Sequence, residues 1–141
     1  MTVLLMRRYG FAAAHRLYIP ALSDDENTAI YGKCANPYGH GHDYELELVV
    51  RGKVDEVTGR VVDLARLDAL TEETVLRQVR YKDLNAELEA FRTAPPTTEN
   101  LAREVERWLR AAWPKWFGRA PALEMIRIRE TPRNICEVSA S

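Results

Sequence analysis

The sequence has no apolar run long enough to span a membrane and no cluster of basic residues. No stretch approaches the roughly 20 apolar residues that a transmembrane helix needs. Phosphate binding normally requires a concentrated positive face, whereas the net charge of this chain is −1. We therefore expect neither a membrane nor a nucleic acid as its partner.

Cysteine is scarce as well, with only Cys34 and Cys136 in the chain. The apolar start lacks the basic leader and small-residue cleavage site of a signal peptide, so we interpret it as a strand. One cysteine pair without such a signal is typical of free thiols in a reducing cytoplasm, which predicts a cytoplasmic protein. With 46% hydrophobic and 29% charged residues, the chain has an ordinary globular balance. A length of 141 residues then predicts one domain over residues 1–141.

Two-residue alternation of apolar and polar side chains predicts the strands. Residues 3–17 and 40–53 are expected to be long strands, and residues 122–130 and 134–139 shorter ones. Glu56–Gly59 is expected to be a hairpin turn that leads into an extended segment at residues 60–62. Residues 18–38 are rich in proline, glycine, aspartate and asparagine, which predicts a long functional loop.

Two helices are predicted between the second and third strands. Asp63 is a candidate N-cap for a helix that runs to about Val79. Residues 95–98 are expected to cap a second helix that ends near Pro114. The element order is then two strands, two helices and two strands (ββααββ). It predicts an α+β fold in which both helices cover one face of a four-stranded antiparallel sheet.

The three histidines are candidate metal ligands. His40 and His42 are two residues apart on a strand, so they point the same way, and His15 shares a face with Phe11 and Ala13. Side chains that face each other on neighbouring antiparallel strands are about 5 Å apart, which would let the three imidazoles converge. Zn²⁺ accepts such a set, and three protein ligands leave a position open for chemistry. The alternative is a pair of ordinary polar residues near a loop.

Two further residues could take part in chemistry. Cys34 precedes His40 by six residues, so the loop could bring its thiol near a metal, where a thiolate can act as base or nucleophile. It could equally be a fourth zinc ligand or an inert thiol. Glu130 shares a face with Ile126 and Ile128, and it lies either at the wet end of its strand or in a pocket.

Together these residues resemble the 6-pyruvoyl tetrahydropterin synthase family. The six-residue interval between the cysteine and the first histidine of the central motif is similar to the animal-type enzymes. The related 6-carboxytetrahydropterin synthases usually have a shorter interval. The resemblance covers nearly the whole chain and rests on Phe11–Leu17, Leu22–Asn27, Gly32–Tyr44, Val57–Gly59, Pro96–Asn100 and Arg129–Thr131.

The resemblance implies a tunnelling fold (T-fold), in which subunits form trimers with barrel-like closed sheets and two trimers stack into a hexamer. It implies a lyase that eliminates triphosphate from 7,8-dihydroneopterin triphosphate, bound between subunits, to give 6-pyruvoyl tetrahydropterin. By the same resemblance, the three histidines would hold zinc, and Cys34 would accept a proton. Glu130 would anchor the pterin ring, and the pocket would be lined by Thr97, Thr98 and Glu99, which otherwise form a simple helix cap.

One stretch departs from the family pattern. Where the family has an Asp-His relay, this chain has Arg80 and Tyr81, and all three histidines are already assigned to the metal. Arg80 could stabilise a thiolate by its charge, and the Tyr81 phenol could pass a proton. The alternatives are a 6-carboxytetrahydropterin synthase or a pterin side-chain-cleaving activity, and an inactive pterin-binding homologue.

Overall fold

The structure is a computed structural model, and it describes residues 1–139. Its centre is one antiparallel sheet with strand order β1-β2-β3-β4, so each strand lies beside its neighbours in sequence. The strands are β1 (Thr2–His15), β2 (His40–Lys53), β3 (Ala122–Thr131) and β4 (Asn134–Ser139). The helices are α1 (Asp24–Tyr31), α2 (Leu64–Thr71), α3 (Arg77–Val79), α4 (Leu84–Glu87) and α5 (Thr98–Phe117).

The helices between β2 and β3 cover one face of the sheet and bury its apolar side chains. Leu46 and Leu48 of β2 face the same core as Ile126 and Ile128 of β3, and all four are fully buried. Helix α5 contributes residues four apart, among them Leu101, which form its apolar stripe. The α+β tunnelling fold and the order ββααββ are confirmed by this arrangement, with further short helices added to the two that were predicted.

The predicted helix over residues 63–79 forms, but it is not a regular α-helix throughout. The side chain of Asp63 accepts a hydrogen bond from the Arg66 backbone N–H at 3.1 Å, as an N-cap does. A π-helical turn at Glu72–Leu76 joins α2 to α3. Such a turn inserts extra backbone into the helix and changes the direction of the side chains that follow it.

The second predicted helix is longer than expected, because Pro114 lies inside α5 rather than at its end. Proline removes one backbone hydrogen bond in a helix. Two aromatic residues on either side of Pro114 favour continuation of the helix, since Trp113 is only 6% exposed and its ring packs at a tilt against that of Phe117, with 4.7 Å between the ring centroids. The helix ends at Gly118, whose positive φ suits a residue without a side chain.

Residues 18–38 are not a continuous loop, which corrects the sequence interpretation. They contain α1 and a 3-10 turn at Gly32–Ala35. A capping box begins α1, in which Ser23 and Glu26 each accept a hydrogen bond from the other's backbone N–H. Asn27 is the only buried residue of α1, so the helix has no apolar stripe from which it could have been predicted.

The turn after β2 forms as predicted, but the extended segment beyond it does not join the sheet. Gly59 donates to the Asp55 carbonyl at 2.8 Å, whereas residues 60–62 form no strand. Within residues 1–139, no helix is long and apolar enough to cross a membrane.

Candidate metal centre

The three histidines meet at one end of the β1–β2 pair. The register opposes His15 to His40 and Ala13 to His42, so the last residue of β1 faces the first residues of β2. The alternation that buries Phe11 and Tyr44 directs all three imidazoles to the helix-covered side of the sheet. His15 is 1% exposed, at the floor of the site.

The Nε2 atoms of the three rings almost touch. They are 3.2 Å apart between His15 and His40, 2.8 Å between His40 and His42, and 3.1 Å between His42 and His15. Ligands that bind one Zn²⁺ tetrahedrally at 2.0–2.1 Å lie about 3.3 Å from one another. The spacing of these nitrogens therefore fits a metal ion held by three histidines.

Protonation also favours metal ligation. Nδ1 of His15 lies 3.0 Å from the Pro96 carbonyl oxygen, which can only accept, so this nitrogen carries the proton and Nε2 keeps its lone pair. Burial lowers the pKa of His15 and of His40 below the usual histidine value. The neutral imidazole is the form that binds a metal ion, so the lowered pKa values of His15 and His40 favour metal ligation.

Cys34 reaches the centre from the loop between β1 and β2. Its carbonyl accepts a hydrogen bond from the Leu17 backbone N–H at 2.7 Å, which holds the 3-10 turn against the chain that leaves β1. The Sγ atom is 3.4 Å from His40 Nε2. Burial and the nearby Glu130 carboxylate raise the pKa of the thiol in the metal-free protein.

Glu130 is also in the cluster, as one of five side chains whose donor atoms all lie within 4.8 Å of one another. Its Oε1 is 2.8 Å from His42 Nε2 and 3.5 Å from His15 Nε2. The hydroxyl of Thr98, in the first turn of α5, donates a hydrogen bond to Oε2. The sequence left open whether Glu130 lies at the wet end of its strand or in a pocket. In the structure it lies in a pocket, where it is only 7% exposed.

The remaining predicted residues lie at different distances from this cluster. Thr97 is the N-cap of α5 and accepts a hydrogen bond from the Asn100 backbone N–H at 3.2 Å. Glu99 is exposed in the first turn of α5. The side chains of Arg80 and Glu72 form two hydrogen bonds of 2.7 and 2.8 Å. Among the described residues, neither Arg80 nor Tyr81 lines the cavity at Cys34.

Tyr81 has an unusual position. Its backbone is in the left-handed region at φ 59°, and its side chain is 81% exposed. Its N–H donates to the Ala12 carbonyl at 2.7 Å, so the chain runs along the outer edge of β1 at this point. The side chain borders a separate cavity that it shares with His42 and Asp43.

A cavity of about 660 Å³ opens beside the histidines and is bordered by Cys34, His40 and His42. Sequence reasoning missed two residues near the histidines. Arg16 lines this cavity, and the hydroxyl of Tyr44 lies 3.3 Å from His15 Nδ1. Arg16 directly follows the predicted ligand His15, and Tyr44 lies on the same strand face as His42. Their closeness in sequence to predicted ligands was the only sign that they belong to the site.

Comparison with known proteins agrees with this geometry. The sequence model of the family described as 6-pyruvoyl tetrahydropterin synthase matches residues 4–141. The chain is 42% identical over 136 residues to the 6-pyruvoyl tetrahydrobiopterin synthase of Poecilia reticulata, covering 93% of this chain and 86% of the relative. It is 40% identical to that of Drosophila melanogaster, covering 93% and 76%. The structure of Caenorhabditis elegans 6-pyruvoyl tetrahydropterin synthase superposes with a TM-score of 0.86 at 36% identity, covering 100% and 97%.

The sheet, its helices and the cluster of three histidines define a tunnelling-fold protein with a candidate metal centre. The chain belongs to the 6-pyruvoyl tetrahydropterin synthase family, and this membership makes it an enzyme of the lyase class.

Proposed function

We propose that this protein is a zinc-dependent lyase that eliminates triphosphate from 7,8-dihydroneopterin triphosphate to give 6-pyruvoyl tetrahydropterin. The observation that carries the proposal is the convergence of three histidine nitrogens, 2.8–3.2 Å apart, beside a cysteine thiol that lines an open cavity with His40 and His42. The names of its relatives supply the substrate class, since they are called 6-pyruvoyl tetrahydrobiopterin synthases.

Zinc is the ion that suits the donor set best. Three imidazoles and an open position are typical of catalytic Zn²⁺ sites. His15, His40 and His42 would hold the ion. When bound there, it would supply Lewis-acid chemistry and positive charge, which lower the pKa of a bound hydroxyl and of a nearby thiol.

Cys34 and Glu130, which lie beside the histidines, would have different roles in the reaction. Cys34 would accept the proton that leaves the substrate side chain, because its Sγ is the closest ionisable thiol to the open face of the site. Glu130 has both carboxylate oxygens inside the site, one toward His42 and one bonded to Thr98. In this position it would balance the positive charge of an ion held by the histidines, and it would accept hydrogen bonds from N–H groups of a pterin ring.

The assembly is part of the proposal. We infer a homohexamer built as a dimer of trimers, in which β4 and the part of β1 that residues 81–83 leave uncovered are the sheet edges available for pairing between subunits. Along the helix-free face of the sheet, Arg8 and Arg127 both pair with Glu47, which is 4% exposed. In a closed sheet, the exposed phenol of Tyr81 would face a neighbouring subunit. From this position it would take part in the reaction at that subunit's site rather than at its own.

Product analysis with the triphosphate substrate tests the function. Zinc-loaded protein is incubated with 7,8-dihydroneopterin triphosphate, and triphosphate release and the pterin products are followed by liquid chromatography with mass spectrometry. Stoichiometric triphosphate and 6-pyruvoyl tetrahydropterin are expected. If the product is a 6-carboxytetrahydropterin or a pterin with a cleaved side chain, the protein catalyses a different reaction of the same family. Tight pterin binding without any turnover would overturn the proposal in favour of a binding protein.

A further inference from the structure

Arg16 is a half-buried cation in the cavity of the metal centre with no negative partner. No carboxylate within residues 1–139 forms an ion pair with it. Its Nε donates to the Ala35 carbonyl at 3.2 Å, and its two terminal amino groups donate to no acceptor in the described part of the chain. Taking an arginine charge partly out of water is costly unless an anion compensates it, so this guanidinium is suited to an anionic ligand.

The position of this guanidinium is fixed before any ligand arrives. The side chain of Asn85 clamps the backbone of Arg16 on both sides, accepting from its N–H at 2.7 Å and donating to its carbonyl at 2.8 Å. The charged carbon of Arg16 lies 4.1 Å from the centre of the Tyr18 ring, a favourable cation–π contact. A preorganised fork of N–H donors loses little conformational entropy when it binds a phosphate.

The cavity places this charge next to the reacting groups. Arg16 and Cys34 line it together, with Lys33 as a second cation at the exposed rim and Asp24 as the one acidic neighbour. Two cations against one carboxylate give a positive balance to the side of the cavity that Arg16, Lys33 and Asp24 line, and Glu130 is not among the lining residues. A substrate that carries a phosphate chain would direct that chain toward this side.

We propose that Arg16 is the anion subsite of the cavity and binds the phosphate chain of the substrate through its terminal amino groups. The inference rests on the proposed function for the identity of the substrate. It goes further by assigning the recognition of the triphosphate to one residue. Arg16 thereby distinguishes the phosphorylated substrate from the same pterin without phosphates.

Binding measurements test this assignment separately from turnover. Dissociation constants are measured by fluorescence titration on zinc-loaded protein that also carries Cys34→Ser, in which turnover is expected to be slow, for 7,8-dihydroneopterin triphosphate and for dephosphorylated 7,8-dihydroneopterin. Arg16→Gln is expected to weaken binding of the triphosphate about 10- to 100-fold, the usual effect of losing hydrogen bonds to a charged group. Binding of the dephosphorylated pterin should stay within twofold, and Arg16→Lys should recover part of the loss.

Arg66 provides a matched control, since its Nε also donates to a carbonyl, that of Trp116, and its guanidinium also lies over the Trp116 ring. Arg66→Gln should leave both dissociation constants unchanged. Equal weakening of the two pterins by Arg16→Gln, or no weakening of either, would overturn the assignment. A protein that binds the triphosphate through Arg16 but releases none would contradict the lyase function and leave the anion subsite intact.

Discussion

The carboxylate oxygen Oε1 of Glu130 lies 2.8 Å from Nε2 of His42, so a carboxylate of β3 is in direct contact with an imidazole of β2. Glu130 is buried and does not line the cavity that Cys34 borders. The roles proposed above, metal binding, proton transfer and substrate anchoring, therefore fall on neighbouring side chains, and substitutions around them can separate these roles.

Replacement of His42 should remove the metal. His42→Ala deletes one of three ligands and is expected to leave less than about a tenth of the metal in purified protein, because three-ligand sites depend on every ligand. Metal content per chain is measured by plasma mass spectrometry. Asp43→Asn is the control, since this neighbour lies on the opposite face of β2 and is exposed. Retention of one metal per chain in His42→Ala would refute the ligand assignment.

Replacement of Cys34 should abolish turnover and spare the metal. General acid–base catalysis contributes roughly 10²- to 10⁴-fold to a rate, so Cys34→Ser is expected to lower kcat by at least about 100-fold. Cys136→Ser removes the other half-buried thiol, on β4, and should leave kcat unchanged. If Cys34→Ser instead releases the metal, the thiol is a fourth ligand rather than the proton acceptor.

Thr98 should act through Glu130. Thr98→Val keeps the shape of the side chain and removes the hydroxyl that donates to Oε2, which leaves a buried carboxylate oxygen without its partner. We expect kcat/KM to fall about tenfold, which corresponds to roughly 1.4 kcal/mol. Thr98→Ser keeps the donor and should restore most of the rate. A Thr98→Ser variant as slow as Thr98→Val would mean that packing, rather than the hydrogen bond, is what matters.

The pair of Asp68 and Arg7 should make stability depend on acid pH. Their side chains bond at 2.7 and 2.9 Å, and this holds the pKa of Asp68 below its ordinary value. A depressed folded-state pKa contributes stability above the unfolded pKa of about 3.9, and the contribution is lost as pH falls through the folded value. Because the carboxylate is 42% exposed, we expect Asp68→Asn to cost only about 1 kcal/mol at pH 7.

Urea unfolding of the wild-type protein and of Asp68→Asn at pH 7 and pH 3 measures this contribution. The difference in unfolding free energy between the two proteins should be smaller at pH 3. An equal or larger difference at the lower pH would contradict the assignment of the Asp68 pKa shift.

The left-handed backbone of Tyr81 should limit stability. A residue with a Cβ pays roughly 1–2 kcal/mol in this region, whereas asparagine tolerates it. Tyr81→Asn is expected to raise the free energy of unfolding by up to about 1 kcal/mol in urea titrations. Tyr38 is the matched control, since it is 96% exposed but lies on ordinary backbone, so Tyr38→Asn should give no gain. A loss of stability in Tyr81→Asn would show that the phenol makes contacts that outweigh the strain.

Alternation along the strands made much of the fold predictable. The buried faces of β1 and β2 follow from hydrophobic side chains at every second position, and these faces include the three histidines. Helix α1 gave no such signal, because it is held by its capping box and by the buried amide of Asn27, which donates to the Ile19 carbonyl at 3.1 Å. Polar contacts of this kind leave no period in a sequence.

The contacts of Glu130 and Arg80 could not be read from the sequence for a different reason. Glu130 meets His42 because β2 and β3 pair in a register that opposes Glu45 to Arg129, and the alternation within each strand does not determine that register. Arg80 pairs with Glu72 across eight residues, a separation that includes the π-helical turn. A local irregularity in a strand or helix changes which side chains meet, while the apolar pattern around it stays the same.

Hydrophobic burial alone would tolerate a slip of two residues between β1 and β2, because every side chain would keep its face. The histidines converge only in the observed pairing of His15 with His40 and Ala13 with His42. An ion that binds this pairing and no slipped one favours it by an amount that grows with the ratio of the free ion concentration to its dissociation constant. Metal binding during folding would then select the correct strand register. The yield of correctly paired protein on refolding should rise when the ion is present.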